Sequence, residues 1–262
     1  MNRMQGFGWR ATHCECPAHW GYGTPGVRPG HEGYVRFKTL ADRLIASVLL
    51  LLALPFLVVA MALVRLTSRG PAIYSQVRVG LDGKRFRIYK VRSMYNDCER
   101  STGPRWCTAD DPRVTPVGDI LRKTHLDELP QLWNVLRGEM SLIGPRPERP
   151  EFVSNLEKAF PYYRDRLRVL PGITGLAQVQ LPPDTDLTGV ERKLMCDLYY
   201  IGRLNPLLDL KIVICTGLGV IGVPFAAMRA LFGMPSVDAM ECTCGSERVS
   251  VMGAAQAQAQ PA

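Results

Sequence analysis

Hydrophobic positions are spread unevenly along the chain. Leu44 to Val64 is a run of 21 residues without a charge, bounded by Arg43 and Arg65, and fourteen of the 21 are Leu, Ile, Val or Phe. As a helix this run would be about 31 Å long, enough to cross a hydrocarbon core of roughly 30 Å. Two features argue against a simple span. Pro55 removes a backbone donor in the middle of the run and crowds the turn before it. Basic residues flank both ends: Arg36, Lys38 and Arg43 before, Arg65 and Arg69 after. The positive-inside tendency then places both ends on the cytoplasmic face. The pattern predicts a helix broken at Pro55 that enters and leaves one leaflet, each half about ten residues or roughly 15 Å.

Beyond this run the period changes. Ala72 to Val79 and Arg85 to Val91 are rich in β-formers and separated by the turn dipeptide Asp82-Gly83, so a hairpin is expected. Phe86 and Ile88 fall on one strand face, Arg85 and Arg87 on the other. Arg113 to Leu136 reads as two helical pieces, with Asp127-Glu128 at the start of the second and Leu129, Leu132, Trp133 and Leu136 at helical spacing. Gly144-Pro145-Arg146-Pro147 ends that region and holds an arginine in a stiff loop. Glu151 to Val169 has an amphipathic helical pattern, and Pro171 to Gly175 reads as a turn. Ile212 to Met228 is a second uncharged run of 17 residues. Gly217, Gly219, Gly222 and Pro224 make it a poor straight helix, so an interfacial or buried helix is expected there rather than a second span. Residues 1–35 have no period and read as a poorly ordered extension without signal-peptide features. Residues 253–262 are Ala/Gln-rich and read as a disordered tail.

Composition narrows the chemistry. The chain has 262 residues, 47% hydrophobic and 21% charged, long enough to bury a core without disulfides and too apolar for a disordered chain. A mean hydropathy of −0.01 argues against a multi-spanning transporter. The net charge is +8, and 25 of the 32 basic residues are Arg, the side chain suited to bidentate phosphate contacts. Phosphate in some form is therefore the expected partner: nucleic acid, anionic lipid or a phosphorylated small substrate. Residues 65–92 hold eight cations against Asp82 alone, a block that would attract an anionic leaflet. The eight cysteines include no C-x-x-C pair. Cys14/Cys16 and Cys242/Cys244 are read as free thiols rather than metal ligands.

Leu126-Asp127-Glu128-Leu129-Pro130-Gln131-Leu132 is joined by Asn134-Val135-Leu136, Met140-Ser141-Leu142 and Gly144-Pro145-Arg146-Pro147. Earlier come Asp42-Arg43, Gly70-Pro71, Gln76 to Gly80, Lys90 to Met94 and Thr115 to Gly118. Later come Pro171 to Gln178 and the trio Asp197, Tyr200 and Asp209. This ordered set, over about residues 36 to 216, resembles the bacterial sugar transferases of the monotopic phosphoglycosyl transferase superfamily.

The resemblance implies a small mixed α/β fold anchored to the membrane. It would comprise a Pro-broken re-entrant N-terminal helix, a β-hairpin and several interfacial amphipathic helices. The expected organisation is an extension over 1–35, a re-entrant helix with its flanks over 36–69 and a cytoplasmic catalytic domain over 70–216. An apolar interfacial segment would follow over 217–252 and a tail over 253–262. The implied reaction moves a sugar 1-phosphate from a nucleotide diphospho-sugar, usually a uridine nucleotide, to polyprenyl (undecaprenyl) phosphate. It would take place at the bacterial cytoplasmic membrane and would start exopolysaccharide, O-antigen or glycoconjugate synthesis.

By this resemblance Asp127 matches the nucleophile, forming an acyl phosphate that splits the transfer into two steps. Glu128 matches the adjacent acid and ligand of Mg²⁺, the implied cofactor. Arg122 matches a phosphate-stabilising cation. Pro145, Arg146 and Pro147 match a nucleotide-contacting loop. Lys90 and Arg92 match a basic pair near phosphate or lipid headgroup. The implied partners are the nucleotide sugar, the polyprenyl phosphate and the cytoplasmic leaflet. No nucleic acid is expected, and a homo-oligomer is left open. Val91, His125, Val179 to Pro183 and Asn205 depart from the common pattern and bear on substrate choice more than on catalysis. Two rival readings are a basic membrane-tethered module that binds anionic lipid or nucleic acid without turnover, and a transferase using Asp184-Thr185-Asp186 as a nucleotide-sugar clamp.

Overall fold

The computed structural model describes residues 32–100, 103, 106–107, 111–160, 162–182, 187–237 and 239–240. The expectations for residues 1–31, for Asp184-Thr185-Asp186, for the two C-x-C pairs and for the tail lie outside the described residues.

The apolar run lies inside helix α1 (Glu32–Thr67), which starts within the stretch read as extension. The break expected at Pro55 does not interrupt it: Pro55 sits inside one unbroken helix. The Leu- and Ala-rich turns on either side carry the helix past the one missing donor. Ala46, Ala53, Leu57, Ala60 and Val64 are buried and Leu50 half-buried, a stripe at alternating three- and four-residue spacing. An alanine every seventh residue lets the rest of the fold approach the helix closely. The other faces stay bare, with Leu44, Ile45, Val48, Leu51, Leu52 and Phe56 among the exposed side chains. Among the described residues this is the one helix long and apolar enough to cross a membrane.

The hairpin forms where expected. Strands β1 (Ile73–Val79) and β2 (Arg85–Val91) pair antiparallel from Ile73↔Val91 to Val79↔Arg85. Asp82 (φ 53°) and Gly83 (φ 78°) turn the chain in left-handed conformations, which aspartate and glycine adopt most readily. Phe86 and Ile88 pack inward with Leu132, Val135, Met140 and Ala46, while Arg85 and Arg87 face out.

The two expected helical pieces are α2 (Pro116–Lys123) and α3 (Gln131–Leu136). Thr115 caps α2 by accepting from the Gly118 N–H at 2.9 Å, with Pro116 in the first turn. Strand β3 (Ser141–Ile143) follows, then α4 (Pro150–Ala159) and a 3₁₀ segment, Tyr163–Arg168. The single helix expected over 151–169 is thus two pieces. Phe160, the residue before Pro161, is extended, because the proline ring disfavours the helical conformation in its predecessor. The turn expected at Pro171–Gly175 is instead strand β4 (Gly172–Thr174), parallel to β3 with Ser141↔Gly172 and Ile143↔Thr174 in register. Glycine permits this pairing: a Cβ on Gly172 would collide with the backbone of Gly144.

Helices α5 (Leu176–Gln180), α6 (Leu187–Gly202), α7 (Pro206–Val220) and α8 (Phe225–Phe232) complete the chain. The second apolar run is divided between α7 and α8 by Gly222 (φ 86°) and Pro224. Leu208, Ile212 and Cys215 of α7 and Met228 of α8 enter the largest core cluster with Tyr200 and Ile201 of α6. Within the run Val213, Ile214, Val220 and Ile221 are exposed while Ile212, Cys215 and Met228 are buried, so one side of it packs into the fold and the other stays bare.

Both ends of the apolar run are fastened to this unit. At its start the Ser141 hydroxyl donates to Asp42 Oδ2 at 2.5 Å, Lys38 Nζ lies 2.9 Å from Asp209, and the Tyr34 and Tyr200 hydroxyls donate to Asp209 at 2.6 and 2.7 Å. At its end Arg92 donates to the carbonyls of Ser68 and Arg69 at 2.8 and 2.7 Å and to the Ser68 hydroxyl at 2.9 Å. Ser68 and Arg69 are the two residues just past α1, and Arg92 Nη2 adds a longer bond of 3.4 Å to the Val64 carbonyl in its last turn.

Candidate active site

Asp127 and Glu128 occupy a 3₁₀ turn, Leu126–Glu128, between α2 and α3. His125 enters it in a left-handed conformation (φ 55°) with its side chain exposed. The turn aims both carboxylates inward: Asp127 is 5% exposed and Glu128 9%. The sequence suggested the start of a regular helix; the pair instead sits in its own short turn ahead of α3.

Glu128 is the hub. Lys90 Nζ, from β2, donates to Oε1 at 2.6 Å, and Arg146 Nη2, from the loop after β3, donates to the same oxygen at 2.5 Å. Oε2 receives a longer bond from Arg146 Nη1 at 3.3 Å. Burial pushes the Glu128 carboxyl up, but the charges of Arg146 and Lys90 and their hydrogen bonds outweigh it and hold it well below the usual carboxylate range. Asp127 differs. Burial raises its pKa and Glu128 adds to the rise, while Lys90, Arg122 and Arg146 oppose it without cancelling it. The two neighbours are pushed apart: Glu128 is a fixed anion bound to two cations, and Asp127 a desolvated carboxylate suited to attack.

The cations are held from behind. Arg78 Nη1 donates to the Pro147 carbonyl at 3.2 Å, and the Gly172 N–H donates to the Pro145 carbonyl at 2.9 Å. Arg166 Nη2 donates to the Arg146 carbonyl at 2.8 Å, while its Nε binds Asp197 at 3.0 Å. Pro145 and Pro147 are buried, and the Arg146 side chain between them stays 45% exposed, so it can meet both Glu128 and an incoming anion. Arg122 Nε donates to Ser93 Oγ and its Nη1 to Cys107 Sγ, both at 2.9 Å.

Of the residues expected from sequence, the structure brings together Asp127, Glu128, Lys90 and Arg146, with Arg122 close enough to act on Asp127. It does not bring Arg92 to them. The Arg92 guanidinium instead donates to the carbonyls of Ser68 and Arg69, just past α1. Pro145 and Pro147 shape the loop through their carbonyls. Arg166 was missed by sequence reasoning, and Arg78 and Ser93 lay inside the recognised pattern without a role; the three hold the loop and Arg122 in place. Asp197 was in the recognised pattern, but its cationic partner lies 31 residues away in sequence.

Among the described residues no three His, Cys, Asp or Glu side chains converge as a metal cage. The donor set fits Mg²⁺ in another way. That ion is commonly held by one or two carboxylates completed by substrate phosphates and water, and Glu128 Oε2, with one long bond, is the oxygen available beside Asp127.

The pH dependence should show the environment of Asp127. A nucleophilic carboxylate works ionised, so kcat/KM should fall as pH falls through a pKa above the ordinary aspartate value of about 3.9. An acid limb at or below that value would contradict the desolvated site.

Comparisons with known proteins place the chain in a family. Over 198 residues the chain is 44% identical to an undecaprenyl-phosphate glucose phosphotransferase of Komagataeibacter xylinus, covering 72% of this chain and 36% of that protein. It is 42% identical to a UDP-N-acetylgalactosamine-undecaprenyl-phosphate N-acetylgalactosaminephosphotransferase of Aeromonas hydrophila, covering 70% and 43%. It is 41% identical to the exopolysaccharide production protein PSS of Rhizobium leguminosarum bv. phaseoli, covering 65% and 87%. The chain thus spans less than half of the first two relatives and most of the third. With the bacterial sugar transferase model matching residues 33–222, the chain belongs to the bacterial sugar transferase family.

Proposed function

We propose that this protein transfers a sugar 1-phosphate from a UDP-sugar to undecaprenyl phosphate at a membrane surface. The observation that carries this reading is the buried Asp127 beside a Glu128 locked by Lys90 and Arg146. In the first step an Asp127 oxygen attacks the phosphorus that bears the sugar. A P–O bond forms to Asp127, the P–O bond to the nucleoside monophosphate breaks, and UMP leaves with its electron pair. In the second step a phosphate oxygen of the polyprenyl phosphate attacks the same phosphorus. The acyl–phosphate bond breaks, Asp127 is regenerated, and a polyprenyl diphospho-sugar departs. Arg146 and Arg122 stabilise charge on the transferring phosphoryl group. Glu128 keeps Lys90 and Arg146 in place. Glu128, together with the substrate phosphates, would hold Mg²⁺, which would supply the charge neutralisation that lets an anionic nucleophile approach a diphosphate.

The chain would work as a monotopic membrane protein on the cytoplasmic leaflet of the bacterial inner membrane. A span would carry Asp42 and Val64 to opposite sides of the bilayer, yet both ends of the run are tied to the same folded unit. Single cysteines replacing the exposed Arg36 and Arg69, in a background without other cysteines, are expected to be labelled from the same side of oriented vesicles. Labelling from opposite sides would support a span.

The reaction is tested by UMP release from detergent-solubilised protein given undecaprenyl phosphate, Mg²⁺ and UDP-sugars one at a time. Release that requires the lipid and one of the sugars is expected. Salt-sensitive lipid or nucleic-acid binding without release for any sugar would favour the non-catalytic binding module.

A further inference from the structure

The outer face of the hairpin carries a groove of about 550 Å³ that the proposed chemistry does not use. Arg85, Arg87 and Tyr89 of β2 line it with Val77 of β1, and Arg137, just past α3, closes one end. It lies across the sheet from the catalytic cluster, since Lys90 shares the face of Phe86 and Ile88 and strand alternation turns Arg85, Arg87 and Tyr89 the other way. Arg85 has no ion-pair partner among the described residues. Arg87 makes one 3.5 Å bond to Ser75 Oγ. The one acid at the groove, Glu139, is engaged by Arg137 at 3.1 Å and by Asn134 Nδ2 at 2.7 Å. The groove therefore holds uncompensated positive charge in a cleft large enough for a small polar group.

Its position supplies the second argument. Phe86 and Ile88, on the inner face of the same strand, pack with Ala46 of the apolar helix. The Arg43 guanidinium, at the start of the apolar run, lies against Gly138, next to Arg137. Trp133, one helical turn before Arg137, is 51% exposed, and exposed tryptophans with arginines favour the headgroup level of a bilayer. The Arg137 side of the groove thus lies beside Arg43, at the start of the apolar run.

We propose that this groove binds the headgroup of an anionic phospholipid, with Arg85 and Arg87 on the phosphate and Arg137 and Arg43 at the rim, so that the catalytic unit docks in a fixed orientation. The inference rests on the membrane reading of α1.

The full chain in neutral detergent would be titrated with short-chain phosphatidylglycerol, short-chain phosphatidylcholine and inorganic phosphate, with bound adducts read by native mass spectrometry. Each cation near an anionic lipid surface is worth about fivefold in affinity. Phosphatidylglycerol is therefore expected to bind at least about tenfold tighter than phosphatidylcholine. Arg85→Gln/Arg87→Gln should erase that preference, leaving UMP release in detergent unchanged. Lys158→Gln/Arg164→Gln, an equal charge loss on exposed residues elsewhere, should keep it. Arg85→Gln alone, at an exposed side chain, should weaken it in part. Equal preference in the groove variant and the wild type would overturn the proposal. Displacement of the lipid by equimolar inorganic phosphate would also overturn it, making the groove a free-phosphate site. Flotation with purely zwitterionic vesicles tests α1 separately, because insertion of its apolar face needs no anionic lipid. Failure to float would sink the membrane reading itself.

Discussion

Asp127→Asn is expected to abolish UMP release while leaving the protein at least as stable as the wild type. Removing a covalent nucleophile from a site that acts as a unit costs at least about 10⁴-fold in turnover. The stability half of the expectation follows from burial. The folded state raises the pKa of Asp127, so it binds this proton more tightly than the unfolded chain does. The stabilisation associated with that proton is present below the unfolded pKa and is lost as pH rises through the folded one. At neutral pH the ionised side chain is therefore a cost, and a neutral isostere removes it. Thermal melts of the two proteins at pH 7 and pH 5 check this: the gap should favour Asn at pH 7 and shrink at pH 5. An Asn variant that melts well below the wild type at pH 7 would mean that Asp127 is a structural acid.

Glu128→Gln is expected to do the opposite to stability. The Glu128 carboxyl is held well below its usual range, so its contribution is present above the unfolded value of about 4.3 and disappears only as pH falls through the folded pKa. Replacing it leaves Lys90 and Arg146 facing each other with only the Asp127 charge between them. Breaking a buried pair typically costs about 3–5 kcal/mol. Because the Arg146 side chain is 45% exposed and partly screened by water, a loss of about 2–3 kcal/mol is expected here, together with a large loss of turnover. Adding Lys90→Met should recover part of the stability and none of the activity. A Glu128→Gln protein with unchanged melting and turnover would show that the Lys90–Glu128–Arg146 cluster is not the organising element of the site.

The hairpin could be read from Asp82-Gly83 and the alternation of Phe86 and Ile88 because strand pairing there is local. The Asp127-Glu128 pair stands out by its motif, and Arg146 by the two prolines that stiffen its loop. What could not be read depends on pairings distant in sequence. Strand β4 looks like a turn because Gly172 serves close approach to Gly144, and nothing local signals that contact. Arg92 looks like a partner of Lys90 because the two are two residues apart, the spacing of one strand face. They differ in use because Lys90 faces Glu128 while the Arg92 guanidinium reaches the carbonyls of Ser68 and Arg69 just past α1. Ala46, Ala53 and Ala60 were hidden in an apolar run whose bare and buried faces have similar hydrophobicity. The difference between the faces is size, with alanine and Leu57 and Val64 inside and larger side chains dominating outside. Pro55 marked a break in the pattern, yet the helix continues through it.

The most direct test of covalent transfer is intact-protein mass spectrometry after mixing the enzyme with its UDP-sugar and Mg²⁺ in the absence of undecaprenyl phosphate. The expected result is one added sugar phosphate per chain, mapped to the peptide holding Asp127, absent from Asp127→Asn, and discharged when the lipid phosphate is added. An enzyme that releases UMP only with both substrates present, and never carries the adduct under rapid quenching, would contradict a two-step mechanism on Asp127 and point to direct transfer between the two bound substrates.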